Sequence, residues 1–212
     1  MKKSSNRNVD IFVVLFLALS LLIANMAMAS ADDAESKVKQ VFEQIESSLT
    51  SLKTTNQFTK NNIRDELNKS LLPEVNIKFF SNKVLNKNLQ KVPEELREAF
   101  SVELSKQLIN TYSNMLSKYN NEKITIGQGS LSKSGKIAMV NVTIVGESAT
   151  NKAVVKLLKS NDDVWQFFDI VVEGISLLDS KQAEINSSFN KLGAEGTLQR
   201  LKELNIRSIN AS

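Results

Sequence analysis

The sequence predicts an α+β fold in which a curved, four-stranded antiparallel sheet is packed with five or six helices. Up to about residue 120, apolar residues recur with the three- and four-residue spacing of amphipathic helices. From Lys123 to Glu173 the period changes to two, and short connections rich in Gly, Ser, Asn and Asp separate the segments. Helical spacing returns after Gly174. Strands grouped together between groups of helices are typical of the α+β class.

The N-terminal segment 1–29 has the features of a secretory signal peptide. A basic head is followed by the apolar run 11–23, which is 13 residues long and is interrupted only by Ser20. A transmembrane helix needs about 20 apolar residues, so a retained anchor is the less favoured alternative. Small residues at the usual spacing predict cleavage after Ala29, with Ala31 as the near alternative.

Composition limits the chemistry open to the remaining single domain, residues 30–212. The net charge of +4 falls to +2 without the leader, because the leader carries three basic residues and one acidic residue. We therefore predict no nucleic-acid partner. The sequence contains no His and no Cys, which excludes His-dependent triads, thiolate nucleophiles and His- or Cys-ligated metals. We expect no cofactor and no enzymatic activity.

Four helices are predicted before the strands. The first spans 32–53, the second ends before Pro73, and the third lies within 75–90. Pro93 occupies the first position of the fourth helix, which we expect to be the longest. Their buried sides are predicted to comprise Val38, Val41, Phe42, Ile45, Leu49, Leu52, Ile63, Leu67, Leu71, Phe80, Val84, Leu85, Leu96, Phe100, Leu104, Leu108, Tyr112, Leu116 and Tyr119.

Four strands of an antiparallel meander are predicted at about 123–131, 136–145, 152–159 and 164–173. Gly127 and Gly129 indicate a bulge in the first strand. Each central strand has one wholly apolar face, formed by Ala138, Val140, Val142 and Ile144 and by Ala153, Val155 and Leu157. Strict alternation in the last strand places Phe168, Ile170 and Val172 on one face and Trp165, Phe167, Asp169 and Glu173 on the other.

The C-terminal part predicts a turn and two helices. Gly174 permits a backbone turn that leads Ser176 out of the sheet. Breaks at Gly193 and Gly196 then separate the two helices. Their apolar positions are Ile185, Phe189 and Leu192 in one, and Leu198, Leu201 and Leu204 in the other.

Two motifs are specific enough to compare with known families: "LREAF…LINTYSNMLSKY" in the fourth helix and "W-x-x-x-D-I-x-x-E-G-I-S-L" from Trp165 onward. Together with the order of the elements, they resemble the MlaC, or toluene-tolerance, family of periplasmic phospholipid-binding proteins. The similarity extends from about Val75 to Leu204. Asn76 stands where many members of the family carry Asp, which makes a role for that carboxylate doubtful here.

The resemblance implies a periplasmic carrier that moves phospholipid between an outer-membrane lipoprotein–porin complex and an inner-membrane ABC transporter complex, maintaining outer-membrane lipid asymmetry. It implies a cavity between the sheet and the helices that holds the acyl chains. Residues of the apolar faces are the candidates for its lining: Phe100, Leu104, Leu108, Val140, Val142, Ile144, Val155, Leu157, Phe168, Ile170 and Val172.

Two alternatives remain open at the level of sequence. Apolar strand faces usually pack against the protein's own helices, so a periplasmic protein–protein adaptor with a solid core and no lipid ligand has the same pattern. A hydrolase built on the carboxylates of Asp169 or Glu173 is the third reading. The two pairs Asp32-Asp33 and Asp162-Asp163 are more typical of turns than of catalytic sites.

Overall fold

The computed structural model describes the backbone of residues 7–210 and the side chains of residues 31–209. This part of the chain forms five helices and one sheet. The helices are α1 (Arg7–Thr54), α2 (Lys60–Ser70), α3 (Ile77–Leu85), α4 (Glu94–Leu116) and α5 (Leu177–Asn210). The strands are β1 (Lys123–Leu131), β2 (Ile137–Val145), β3 (Thr150–Lys159), β4 (Trp165–Val172) and β5 (Ile175–Ser176).

The predicted signal peptide, residues 1–29, lies outside the residues whose side chains are described, and it stays a prediction. Among the described residues, no helix combines the length and the apolar character that crossing a membrane requires.

The α+β class and the antiparallel meander are confirmed, with the strands hydrogen-bonded in the order β1-β2-β3-β4-β5. The fifth strand is an addition to the four predicted. Glu173 and Gly174, with φ of 48° and 80°, form a two-residue turn that folds Ile175 and Ser176 back onto β4. Two residues are too few to show an alternating pattern, which is why the sequence did not reveal this strand.

Two bulges interrupt the sheet. The bulge predicted from the glycines of β1 is confirmed, because the register shifts between Ile126 and Gly129. A second bulge lies in β4, where Leu157 pairs with Phe167 but Lys156 pairs with Asp169. The predicted strict alternation in β4 is therefore wrong. Trp165 and Phe167 share the face of Ile170 and Val172, since the extra residue Phe168 resets the alternation.

The buried apolar residues form two clusters. The larger one packs α1 and α2 against the inner face of the sheet. The smaller one joins α3, α4 and α5. Leu108 of α4 packs against both clusters, so α4 lies between them. The part of α4 that follows Leu108 therefore faces the sheet and α1.

The two helices predicted after the sheet are present, because α5 consists of two helices that meet at a kink. The prediction that α4 is the longest helix is wrong, since α4 has 23 residues and α1 has 48. The break in α5 occurs at Gly193 alone, whose φ of 67° is non-helical; Gly196 stays within helical backbone. Pro93 precedes α4 as its N-cap, one residue earlier than predicted.

Candidate functional site

A cavity of about 350 Å³ lies between the sheet and the helices α1, α2 and α4. Its walls are mainly aliphatic and aromatic, and charged residues are concentrated at one end. The lining comprises Phe42, Ile45, Glu46, Leu49, Leu67, Leu71, Val75, Leu108, Tyr112, Met115, Leu116, Lys118, Tyr119, Glu122, Ile124, Ile144, Asn151, Val155, Phe167, Phe168, Asp169, Ile170 and Val172.

Helical periodicity explains how α1 and α4 each provide a wall. Phe42, Ile45 and Leu49 recur at intervals of three and four residues, so they share one face of α1. Leu108 and Tyr112 do the same on α4 and are continued there by Met115 and Leu116. The bulge in β4 brings both Phe167 and Phe168 into the opposite wall.

The structure brings six of the eleven predicted residues into this lining. They are Leu108, Ile144, Val155, Phe168, Ile170 and Val172. The wall therefore includes apolar residues of β2, β3 and β4. It lies towards the end of the sheet at which β1 and β3 begin, where Ile144 pairs with Ile124 and Asn151.

The other five predicted residues are buried elsewhere. Phe100 and Leu104 belong to the cluster between α3, α4 and α5, one to two turns before the cavity begins on α4. Val140, Val142 and Leu157 lie on the inner face of the sheet, but they belong to the cluster in which α1 packs over β1 and β2. α1 packs over β1 and β2 in this part of the sheet, and none of the three residues belongs to the lining of the cavity.

Sequence reasoning did not assign the contributions of α1 and α2 to the cavity, which are Phe42, Ile45, Leu49, Leu67 and Leu71. These residues were predicted to be buried, but nothing in an amphipathic stripe distinguishes residues that touch a neighbour from residues that face a void. The sequence pattern placed Tyr112 among the apolar positions of α4 and gave no indication of a role for its hydroxyl.

The charged end of the cavity contains a set of contacts between α1 and the α4–β1 connection. The Tyr119 hydroxyl donates to Glu46 Oε1 over 3.4 Å. Lys53 Nζ lies 4.7 Å from the centre of the Tyr119 ring and 5.0 Å from that of Phe58, and it donates to Asn121 Oδ1 over 3.0 Å. Burial, followed by the negative charge of Glu46, raises the pKa of Tyr119. We call these five residues the clasp.

The buried carboxylate of Asp169 accepts three hydrogen bonds. The donors are Lys156 Nζ at 2.9 Å, Ser176 Oγ at 2.9 Å and the backbone N–H of Leu178 at 3.1 Å. Ser176 Oγ in turn accepts from the N–H of Asp179 at 3.0 Å and so caps α5. Asp169 thus joins β3, β5 and the start of α5, and its lone pairs are used in structural contacts.

Tyr112 is a partly buried polar residue of the lining. Its hydroxyl forms no hydrogen bond with any residue that the structure describes, although the residue lines the cavity. Burial, and then the negative charge of Asp169, raises the pKa of Tyr112, so the phenol remains protonated and able to donate.

Asn76 has a structural role that an amide can fill. Its Oδ1 accepts from the N–H of Phe79 over 3.0 Å and caps α3, while its Nδ2 donates to Gln166 Oε1 over 2.9 Å. A carboxylate could not make the second of these bonds as a donor. Among the described residues, no group of three or more acidic side chains is placed to hold a metal ion.

Comparisons with known proteins give a consistent picture. The family model described as MlaC protein matches residues 39–203. The intermembrane phospholipid transport system binding protein MlaC of Haemophilus influenzae is 21% identical over 197 residues, which cover 90% of each chain. The toluene tolerance protein ttg2D of Pseudomonas putida is 27% identical over 114 residues, 53% of each chain.

A solved structure shows the same fold. The phospholipid-binding protein of Ralstonia solanacearum, in complex with a phospholipid, matches with a TM-score of 0.74 at 16% identity, over 84% of this chain and 99% of that chain. The family model spans well over half of the sequence and includes both the helices and the meander. The resemblance is confirmed, and the chain belongs to the MlaC family.

Proposed function

We propose that this protein is a periplasmic phospholipid carrier that binds acyl chains in the apolar cavity. The observation that carries the proposal is the cavity itself, about 350 Å³ walled by apolar side chains of the sheet and three helices. This volume is within the usual range of ligand sites in proteins. A relative of the same fold was solved with a phospholipid, and another is named as a phospholipid transport binding protein.

The energetics suit a carrier that performs no chemistry on its ligand. Each buried methylene is worth about 0.8 kcal/mol relative to water, so two acyl chains gain roughly 20 kcal/mol. A bilayer is equally apolar, and the same gain nearly cancels when lipid moves from a membrane into the cavity. The protein would therefore retain lipid in water and exchange it at a membrane with little net driving force.

The direction of transport must then come from partners. We propose an inner-membrane ABC transporter complex and an outer-membrane lipoprotein–porin complex as the two sites of exchange, with maintenance of outer-membrane lipid asymmetry as the result. The name of the Haemophilus relative, which refers to an intermembrane transport system, and the predicted signal peptide support this assignment.

Organic extraction of the purified protein, followed by mass spectrometry, tests the binding function. A carrier should yield about one phospholipid per protein, whereas an adaptor with a solid core should yield none. Ile144 lines the cavity, and its neighbour Val145 is 41% exposed and is not part of the lining. We expect Ile144→Trp to fill the cavity and reduce the lipid yield several-fold, whereas Val145→Trp should leave the yield unchanged.

Absence of phospholipid from the native protein, or equal yields from the two tryptophan variants, would contradict the proposal. Melting curves of both variants provide the control for folding, because overpacking a core costs about 1–3 kcal/mol.

A further inference from the structure

Tyr112 places an unpartnered hydrogen-bond donor inside an apolar cavity. Its ring belongs to the wall, and its hydroxyl has no hydrogen-bond partner among residues 31–209. Tyr112 is only partly buried, so its hydroxyl is open to the space of the cavity and is not enclosed in the core. A tyrosine hydroxyl among apolar side chains usually finds a hydrogen-bond partner, and here a ligand in the cavity can supply it. Lys118 and Asn151 of the lining also have no side-chain hydrogen bond with a described residue, but both are exposed to solvent. The carboxylates of the lining all have partners. Glu46 accepts from Tyr119, Glu122 accepts from the N–H of Asn120, and Asp169 accepts three hydrogen bonds.

The depth of Tyr112 in the cavity suggests what the hydroxyl meets. Met115 is 45% exposed and marks the level on α4 where the cavity reaches solvent. At 1.5 Å per residue, Tyr112 lies about 4.5 Å below Met115 along the helix axis. Leu108, one further turn down, is apolar. Tyr112 is therefore at the boundary between the polar mouth and the apolar interior.

The chemistry of this position restricts the group that can bind there. The hydroxyl stays protonated, so it needs an acceptor. A free carboxylate or a phosphate is disfavoured, because the negative charge of Asp169 acts on Tyr112 and the surroundings are desolvated. An ester carbonyl is an uncharged acceptor, and in an acylglycerol it lies at the junction of the polar head and the apolar chains.

We propose that Tyr112 is a specificity-determining residue whose hydroxyl donates a hydrogen bond to an ester carbonyl of a bound acylglycerol lipid. This inference rests on the proposed lipid-binding function. It adds selection for the linkage of the chains, which apolar contact alone cannot provide, because ester- and ether-linked chains of one length are equally apolar.

Competition between matched lipids tests the inference. The protein is loaded from vesicles that contain equal amounts of a diacyl phosphatidylethanolamine and its diether analogue with chains of the same length. The ratio of the two lipids in the extracted protein is then measured by mass spectrometry. We expect two- to tenfold enrichment of the ester in the wild-type protein, the range that one neutral hydrogen bond provides.

Tyr112→Phe removes only the hydroxyl and should abolish the enrichment, so that the bound ratio equals the vesicle ratio. Ser113→Ala is the matched control. It removes a hydroxyl from the adjacent residue of α4, where Ser113 Oγ donates to the carbonyl of Ile109 outside the cavity, and it should preserve the enrichment. Melting temperatures of both variants establish that they fold.

The outcomes separate the inference from the proposed function. Recovery of neither lipid would overturn both. Recovery of both lipids without preference in the wild-type protein, or an ester preference that persists in Tyr112→Phe, would overturn the role of Tyr112 and leave the carrier function intact. Higher total lipid recovery from Tyr112→Phe would also count against it, because an unpaired hydroxyl would then oppose binding.

Discussion

Single residues of the quoted family motif have identifiable structural tasks. Asp169 holds Lys156, Ser176 and the N–H of Leu178, and only 2% of its side chain is exposed. Gly174 supplies the positive φ that the β4–β5 turn requires. The motif could be recognised from the sequence, but the hydrogen bonds that explain it could not, because they join residues of different strands and of α5.

Replacing Asp169 with Ala tests this reading against a catalytic one. The variant leaves the Leu178 N–H without its acceptor and removes the counter-charge of Lys156, so we expect the free energy of unfolding to fall by about 3 kcal/mol. Asp163→Asn is the control, because Asn tolerates the positive φ of 60° at this position, the Asp163 side chain is 84% exposed, and its ion pair with Lys159 should contribute less than about 1 kcal/mol. Chemical denaturation measures both values.

The folded fraction of Asp169→Ala should still contain phospholipid. If Asp169→Asn instead retained full stability and abolished a lipid-hydrolysing activity of the wild-type protein, the carboxylate would be catalytic and the structural assignment would be wrong.

At the scale of elements, local signals were sufficient for the sheet and insufficient for the cavity. The alternation of β2 and β3 and the short connections between strands are properties of neighbouring residues, and they predicted strand positions to within one or two residues. The bulge at Phe168 could not be predicted, because it depends on the pairing of β4 with β3. The position of α1 over β1 and β2, which excludes Val140 from the cavity, is likewise a tertiary property.

We expect the clasp, which joins α1 to the α4–β1 connection, to limit access to the cavity. Lys53 of α1 contacts Tyr119 and Asn121 in the α4–β1 connection, and Tyr119 also lines the cavity. Lys53→Met keeps a side chain of similar length but removes its charge. Each cation–π contact that is lost weakens the clasp by about 0.5–1 kcal/mol. We expect lipid to exchange between protein and vesicles several times faster, with little change in the amount bound.

Stopped-flow transfer of a fluorescent phospholipid measures the exchange rate. Lys39→Met is the matched control on α1, because Lys39 is exposed and its 3.9 Å ion pair with Glu43 lies within the helix. Equal exchange rates for the two variants and the wild-type protein would show that the clasp does not limit opening.

At the scale of the whole molecule, the sequence could not distinguish a hollow from a solid core. Lining residues and cluster residues have the same apolar character, and several, such as Leu49, Val155 and Phe167, belong to both sets. A void arises from the separation of α1, α4 and the sheet, which no single segment encodes. The family resemblance supplied the expectation of a cavity, and the structure locates it at one end of the sheet.

A hollow of this size has a consequence for stability. An empty, dry cavity costs about 24 cal/mol per Å³, so about 350 Å³ extrapolates to at most about 8 kcal/mol, because the mouth of this cavity admits water. Even part of that cost is a large share of the roughly 5–15 kcal/mol that stabilises a typical domain. Under the proposed function, lipid would fill the space and stabilise the native state by mass action. We therefore expect the delipidated protein to melt at least 5 °C below the loaded protein in scanning calorimetry, or to collapse the cavity.

A variant whose cavity is partly filled by a larger side chain shows whether the loss of stability on delipidation comes from the empty cavity. Ile144→Trp occupies part of the same space, so removal of lipid should change its melting temperature less than that of the wild-type protein. Val145→Trp, on the exposed face, should behave as the wild-type protein does. Identical melting curves for loaded and delipidated wild-type protein, with the cavity still open, would mean that lipid does not occupy this space.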